Sequence, residues 1–227
     1  MSGSIVHPQR QTSADIIFER LYDQIISLAL LPGTKISEAD VAERFGVSRQ
    51  PVRDAFNRLG NMGFLLIQPQ RATVVQKFSL DSISEARFVR QAIELEVVRT
   101  AIDNWTETSI ALFEPNLELQ EKAVKNSDAK AFHALDEAFH KLITDIAAKP
   151  FAFDIVKEQK AKIDRICVLS LKDAHGMQEL VNDHQQLVEC LSKNDKVGAE
   201  RCLRIHLSRI SKTIEIVQAR HSDYFTV

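Results

Sequence analysis

A tight turn between two short helical segments is the feature that most constrains the fold of this chain. Ser37 precedes the segment EADVAERF, and Gly46 follows it. Serine is favoured as a helix N-cap and glycine as the residue that ends a helix. Ser48 then precedes a second segment, with Pro51 in its first turn, where a missing N–H costs little. Small Ala42 would let the two helices approach closely, so the pattern predicts a helix-turn-helix.

A hairpin with a basic tip is predicted after these helices. Two short apolar runs, FLLIQ at 64–68 and TVVQK at 73–77, flank the sequence PQRA at 69–72. Short apolar runs on either side of a turn are typical of a β-hairpin. Together with the two helices, the hairpin predicts a winged helix-turn-helix over residues 1–78.

Positive charge is concentrated in this region. Residues 44–77 carry six basic residues and one acid, in a chain of net charge −2. Such an island indicates a polyanion partner, although a solvated helix face would also explain it. Arginine can pair with guanine edges or clamp phosphate. The sequence therefore predicts that the second helix binds double-stranded DNA, with contacts from Arg44, Ser48, Arg49, Gln50, Arg53 and Arg71. Arg58 is interpreted as a phosphate contact or a solvated charge.

The remainder, residues 79–227, reads as an all-helical domain. Short breaks separate long amphipathic segments, an arrangement typical of an antiparallel bundle. The fold class is therefore mainly α, with an N-terminal winged helix-turn-helix and a C-terminal antiparallel α-helical bundle. Six helices are predicted, at 80–103, 106–126, 128–147, 151–171, 174–193 and 195–220.

Polar residues on buried faces of the bundle indicate a binding site. Asp136 and His140 lie one helical turn apart amid apolar neighbours, and two such side chains can chelate one ion. His184 and His206 follow on the last two predicted helices. From spacing alone, a histidine in such a position is more often a core or surface residue than a metal ligand. His133 is interpreted as surface-exposed, with an additional polar contact as the alternative.

The N-terminal sequence resembles that of a known family of regulators. PGTKISEADVAERFGVSRQPVRDAFNRLGNMGFL is similar to the DNA-binding domain of GntR-type bacterial transcription regulators. Val41 and Phe56 replace two leucines common in that family, and Ala72 stands where a glycine is common. The resemblance implies a winged helix-turn-helix that binds a palindromic operator as a homodimer.

The C-terminal sequence resembles the FCD effector domain of the FadR-like branch, in its six-helix VanR-like form. RQAIELE, LDEAFH and DHQQLVECLSKNDKVGAERCLRIHL carry this similarity. It implies that Asp136, His140, His184 and His206 bind a divalent transition metal, with Zn or Ni preferred among ions suited to such ligands. Arg90 would pair with the carboxylate of a small effector, or alternatively form a salt bridge to a neighbouring helix.

The function predicted from the sequence is a ligand-responsive transcription regulator, a repressor of a catabolic operon that senses a small organic acid in a metal-containing pocket. The alternatives are a metal-dependent hydrolase built on a helical bundle and a DNA-architectural protein with a structural metal. We predict no enzymatic activity. No apolar run approaches the ~18 residues of a membrane span, so we predict a cytoplasmic protein without a membrane partner.

Overall fold

The computed structural model describes residues 11–170 and 174–226, and the chain divides into two compact units between Phe78 and Ser79. The first unit contains the predicted helix-turn-helix and wing. Its elements are α1 (Ser13–Ile26), β1 (Lys35–Ile36), α2 (Glu38–Phe45), α3 (Arg49–Asn61), β2 (Leu65–Leu66) and β3 (Thr73–Val75).

Local capping explains the tight turn between α2 and α3. The Ser37 hydroxyl accepts hydrogen bonds from the backbone N–H groups of Ala39 and Asp40. Gly46 ends α2 in the left-handed region, with φ of 64°. Glycine occupies this region without the steric cost that a Cβ would add, so it suits this position. Both capping roles predicted for Ser37 and Gly46 are confirmed.

The wing is a three-stranded antiparallel sheet, in the order β1-β3-β2. The sequence predicted β2 and β3 but not β1, which pairs Lys35 with Val74 and Ile36 with Thr73. A strand of two residues is too short to show alternating hydrophobicity. It is recognised only by its hydrogen bonds to β3, so no sequence pattern could predict it.

Helices α1 and α3 form the core of this unit. Their buried apolar side chains are Ile17, Leu21, Ile25, Val52, Ala55, Phe56 and Leu59. Arg58 joins the same two helices, since its Nη1 lies 2.8 Å from Asp15 Oδ1 and its guanidinium lies 4.0 Å from the centre of the Phe18 ring. Arg58 nevertheless keeps 47% of its side chain exposed, so its interpretation as a phosphate contact or solvated charge stays a prediction.

The second unit is an all-helical bundle. Its helices are α4 (Leu80–Asp103), α5 (Ile110–Lys125), α6 (Ala129–Ile146), α7 (Pro150–Ser170), α8 (Ala174–Ser192), α9 (Lys196–Ser208) and α10 (Ile210–Arg220). The predicted break between the fourth and fifth helices includes residues 171–173, which lie outside the described residues.

The last predicted helix, 195–220, is interrupted at Arg209. The residue keeps helical angles, φ −58° and ψ −31°, but its N–H is bonded to His206 three residues back. This tighter turn separates α9 from α10. Within the described residues, the bundle therefore has six helices only if α9 and α10 are counted as one bent helix.

Packing in the bundle brings several helices around one polar centre. Helix α5 packs on α6 and α8, α8 packs on α9, and α4 packs on α7 and α9. Phe113, Phe139, Leu187 and Leu203 fill the space between them and are essentially inaccessible to solvent. The apolar core thus encloses the polar side chains that these helices direct inward.

Candidate nucleic-acid interface and metal centre

The exposed face of α2 and α3 carries the predicted DNA contacts. Arg44, Ser48, Arg49, Gln50 and Arg53 are all exposed, and Ser48 is the N-cap of α3 without a side-chain hydrogen bond to the helix. In a helix-turn-helix, residues at the start of the second helix face the major groove. The arrangement is therefore suited to DNA binding.

The pairs on this face are weak enough to exchange for phosphate or base contacts. Arg53 Nη2 lies 3.2 Å from Glu38 Oε2, with the Arg53 side chain 55% exposed. Gln50 donates to Asp54 at 2.9 Å. Exposed ion pairs contribute about 0–1 kcal/mol. Among the described residues, Arg49 has no hydrogen-bond or ion-pair partner.

Arg71 lies at the tip of the wing, between β2 and β3. Its side chain is exposed and donates to Gln68 Oε1 at 3.3 Å. Gln70, rather than Ala72, adopts the left-handed conformation, with φ of 59°. The turn therefore closes without the glycine common in the family, and it leaves Arg71 accessible to a nucleic-acid backbone or groove.

The second unit brings the four predicted metal ligands together. Asp136 and His140 lie on α6, His184 on α8 and His206 on α9. All four are buried, and one potential ligand atom from each lies within 4.8 Å of the others. His140 Nε2 is 3.2 Å from His206 Nε2, and Asp136 Oδ1 is 3.4 Å from His184 Nε2 and 3.8 Å from His140 Nε2.

The outer nitrogen of His140 is occupied by a carboxylate. His140 Nδ1 lies 2.7 Å from Glu94 Oε2. Burial would raise the pKa of the Glu94 carboxyl, but Arg90 and then His140 hold it below its usual value, so the group is ionised. An ionised carboxylate accepts the Nδ1 proton, which leaves Nε2 of His140 as the nitrogen with a lone pair.

A chain of hydrogen bonds determines the tautomer of His184. Asn116 Nδ2 donates to the Leu135 carbonyl at 3.0 Å, so its Oδ1 is the acceptor for Gln120 Nε2 at 2.6 Å. Gln120 Oε1 lies 2.8 Å from His184 Nδ1 and must accept the proton there. His184 Nε2 is then a lone-pair nitrogen, and it is buried without a hydrogen-bond partner.

His206 completes the cluster. Its Nδ1 lies 3.8 Å from Asp183 Oδ2, and Asp183 is paired with Arg209. Nδ1 of His206 therefore faces an acidic group at a distance longer than a hydrogen bond, while Nε2 faces His140. The three imidazoles share one arrangement, with Nδ1 toward an oxygen acceptor and Nε2 toward Asp136 or another histidine.

Electrostatics keep Asp136, His184 and His206 in the protonation states that bind metals. Burial would raise the pKa of the Asp136 carboxyl, but Lys160 and the surrounding histidines hold it well below its usual range. Burial lowers the pKa of His184 to about 3 and that of His206 well below its usual value. An ionised carboxylate and neutral imidazoles are the forms that coordinate metal ions.

The residues fit a divalent transition metal. Nitrogen and oxygen ligands bind such ions at about 2.0–2.2 Å, so two of them around one ion lie roughly 3.0–4.4 Å apart. The separations of 3.2, 3.4 and 3.8 Å are within this range. Three imidazoles and one carboxylate suit Zn, Ni, Fe, Co or Mn. The orphaned Nε2 of His184 is the group that most needs such a partner.

A buried lysine borders the cluster. Lys160 Nζ on α7 lies 3.3 Å from Asp136 Oδ2, 2.9 Å from Asp164 Oδ1 and 3.5 Å from His133 Nδ1. His133 is half-buried, so the expectation that it is surface-exposed is wrong. The cause is the packing of α7 against α6, which places Lys160 against this ring.

Arg90 borders the same centre but has a partner within its own helix. Its Nε lies 2.5 Å from Glu94 Oε1, and its side chain is only 12% exposed. The alternative of a salt bridge to a neighbouring helix is therefore wrong, since the pair lies within α4. The predicted contact of Arg90 with an effector carboxylate stays a prediction.

Sequence reasoning missed the residues that support the ligands: Glu94, Gln120, Lys160 and Asp183. Among them, only Glu94 could have been predicted, because it lies one helical turn from Arg90 and this spacing favours an ion pair. Lys160 is one of three lysines between 157 and 162, and nothing in the sequence marks it as the buried one. A cleft of about 600 Å³ around Trp105 and Ile110 does not include the four predicted ligands.

A winged helix-turn-helix and an all-helical bundle with a buried polar centre are features of bacterial regulators that bind DNA. Residues 13–75 match the model of the bacterial regulatory proteins of the gntR family, and residues 85–209 match the FCD domain. The chain is 36% identical over 210 residues to the HTH-type transcriptional repressor RspR of Escherichia coli strain K12, with 92% of each chain covered.

Solved structures agree on the fold. E. coli McbR/YncC superposes with a TM-score of 0.73 at 22% identity, covering 93% of this chain and all of that chain. A GntR regulator from Rhodococcus sp. RHA1 superposes with a TM-score of 0.70 at 20% identity, covering 90% and 99%.

The chain therefore belongs to the GntR family of bacterial regulators and carries an FCD domain. It is a DNA-binding transcriptional regulator of the helix-turn-helix type. The family and its relatives are transcriptional regulators rather than enzymes, so the alternative of a metal-dependent hydrolase is set aside. Among the described residues, no helix has the length and apolar character needed to span a membrane.

Proposed function

We propose that the protein is a repressor whose FCD domain binds a divalent transition metal through Asp136, His140, His184 and His206 and senses a small organic acid at that metal. The observation that carries this proposal is the set of buried ligand atoms within 4.8 Å, three of them on histidines whose outer nitrogens face oxygen acceptors. Protein ligands alone would leave coordination positions of an octahedral ion open, and a carboxylate could occupy them.

The surroundings of the cluster favour an anion as the effector. Lys160 is a buried cation 3.3 Å from Asp136, and Arg90, which pairs with Glu94, interacts electrostatically with the same carboxylate. A small cavity also borders Glu94 and His140 and is otherwise lined mainly by apolar side chains. The volume of this cavity is only about 10 Å³, so an organic acid would bind there only if the surrounding side chains moved apart.

Effector binding would regulate operator binding through a dimer. A two-fold dimer of winged units would bind a palindromic operator with one α3 helix in each half-site. A ligand shifts such an equilibrium only if it binds one arrangement more tightly than the other. The repressor role is supported by the name of the relative RspR.

A thermal-shift screen of the purified protein against organic acids, with and without a chelator, tests this function. A ligand that binds the folded state raises the melting temperature. We expect at least one carboxylic acid to stabilise the protein only when metal is present, and to weaken binding to operator DNA selected from random duplexes. Chelation that lowers the melting temperature, with no acid active, would instead indicate a structural metal and a DNA-architectural role.

A further inference from the structure

Lys160 is a buried cation of α7 that touches both the metal cluster and a second acidic group. Its side chain is only 8% exposed. The ammonium lies 3.3 Å from Asp136 Oδ2 and 2.9 Å from Asp164 Oδ1. Asp136 therefore has different partners on its two oxygens, since Oδ1 faces His184 and His140. Burying a lysine at such a place is costly unless its charge is compensated.

The charges around the cluster do not balance once a metal ion is added. The Glu94–Arg90 pair cancels, and buried Asp183 cancels Arg209, whose second partner Glu179 is 44% exposed and screened by water. Asp136, Lys160 and Asp164 remain, with a net charge of minus one. A divalent ion bound by neutral histidines and Asp136 would bring this group to plus one. A buried net positive charge favours an anion as a further ligand.

Lys160 is placed to interact with that anion. The Lys160 ammonium contacts Oδ2 of Asp136, whereas Oδ1 faces the histidines. A metal ion bound by Asp136 would attract the same carboxylate, which would then compensate the ammonium less. Arg90 is a comparable cation, but buried Glu94 compensates it at 2.5 Å, whereas Asp164, the other partner of Lys160 at 2.9 Å, is 20% exposed and compensates it less. Lys160 is thus the cation that metal binding would leave least compensated.

We propose that the Lys160 ammonium has two effects on the metal site. It weakens metal binding when no anion is present, and it binds the carboxylate of a singly charged organic acid. The inference rests on the proposed metal site. The inference also predicts a result that a purely structural lysine would not give, because removing the ammonium should change the affinities for metal and for anion in opposite directions. Metal should bind more tightly and the anion more weakly.

Three variants test this inference. Lys160→Met removes the ammonium and keeps most of the side-chain volume. The double variant Lys160→Met/Asp164→Asn removes the ammonium and one carboxylate, so the net charge is unchanged and Asp164 is not left as a carboxylate without its cation. Lys157→Met is the matched control, because Lys157 lies on the same helix but pairs with Glu137 at the surface.

Two affinities are measured for each variant. Zinc affinity is measured by competition with a chelating dye. Anion binding is measured as the shift in melting temperature that acetate causes in the zinc-loaded protein, with acetamide as the neutral control.

We expect Lys160→Met to bind zinc at least about tenfold more tightly than wild type, since a nearby positive charge is removed. The double variant should bind zinc within about threefold of wild type, because its net charge is the same. Both variants should lose the acetate shift, and Lys157→Met should retain it. If Lys160→Met fails to fold, the double variant alone decides whether the ammonium binds the anion.

Equal acetate shifts in wild type and the double variant would overturn the inference, and so would the lack of an acetate shift in zinc-loaded wild type. Unchanged or weaker zinc binding by folded Lys160→Met would also overturn it. A wild-type protein that does not bind zinc or other divalent transition metals would instead refute the proposed function. The two failures are therefore distinguishable.

Discussion

The two units of the protein hold their charged residues in different environments. On α2 and α3, the residues predicted to contact DNA are exposed, and their pairs, such as Arg53 with Glu38, are accessible to water. In the bundle, Asp136 and the three histidines are buried, and their neighbours are bonded to further side chains. A substitution in the first unit should therefore act locally, whereas one in the second should also affect the residues around it.

The largest effect is expected from removing one metal ligand. His184→Ala should weaken metal binding by more than about 100-fold, because it deletes the buried Nε2 that has no other partner. Metal content by mass spectrometry and helical content by circular dichroism would be measured together. The matched control is Gln185→Ala, an exposed neighbour that donates to Glu121. Full metal occupancy in folded His184→Ala would remove this residue from the ligand set.

A smaller effect on the same site is expected from Gln120, which contacts His184 without facing the cluster itself. Gln120→Leu removes the acceptor for His184 Nδ1, and the histidine can then adopt either tautomer. Loss of such a supporting hydrogen bond typically lowers metal affinity 10–100-fold. The tautomer of His184 can be read by nitrogen NMR of the metal-free protein. A wild-type His184 protonated at Nε2 would contradict the predicted hydrogen-bond direction.

Two arginines of α3 sharpen the comparison within the first unit. Arg49→Ala should weaken operator binding by about 1–3 kcal/mol and leave thermal stability unchanged, because Arg49 has no partner among the described residues. Arg58→Ala should do the opposite, lowering the melting temperature through loss of the Asp15 pair and the Phe18 contact, with operator affinity retained. Equal losses of operator affinity would show that both face DNA.

The smallest effect concerns the start of α1. Hydrogen bonds from Thr12, followed by Arg58, lower the pKa of Asp15 from 3.8 to about 2. A depressed carboxyl pKa stabilises the fold above the unfolded-state value, and this contribution is lost as pH falls through the folded-state value. Asp15→Asn should therefore be less stable than wild type at pH 7, and the difference should shrink between pH 4 and 2. A difference in melting temperature that does not depend on pH in that range would contradict this assignment.

Much of the fold could be predicted because local chemistry dictates it. Ser37, Gly46 and the apolar spacing of α3 are short-range signals, and the caps they predict are present. Strand β1 and the interruption at Arg209 could not be predicted, since both depend on hydrogen bonds that no periodicity reveals. The grouping of Asp136 with three histidines came from resemblance to FCD domains. The burial of Lys160 comes only from tertiary packing.

We expect the buried cluster of Asp136 and three histidines to bind a divalent metal. The metal content of the wild-type protein, purified without added metal or an affinity tag that binds metal, tests this expectation. Chelation and then readdition of Zn²⁺, Ni²⁺ or Mn²⁺ would follow, with the melting temperature measured at each step. We predict about one ion per chain, a lower melting temperature after chelation and its recovery with at least one ion. A protein without bound metal, whose melting temperature does not change with chelator or any of these ions, would contradict the account.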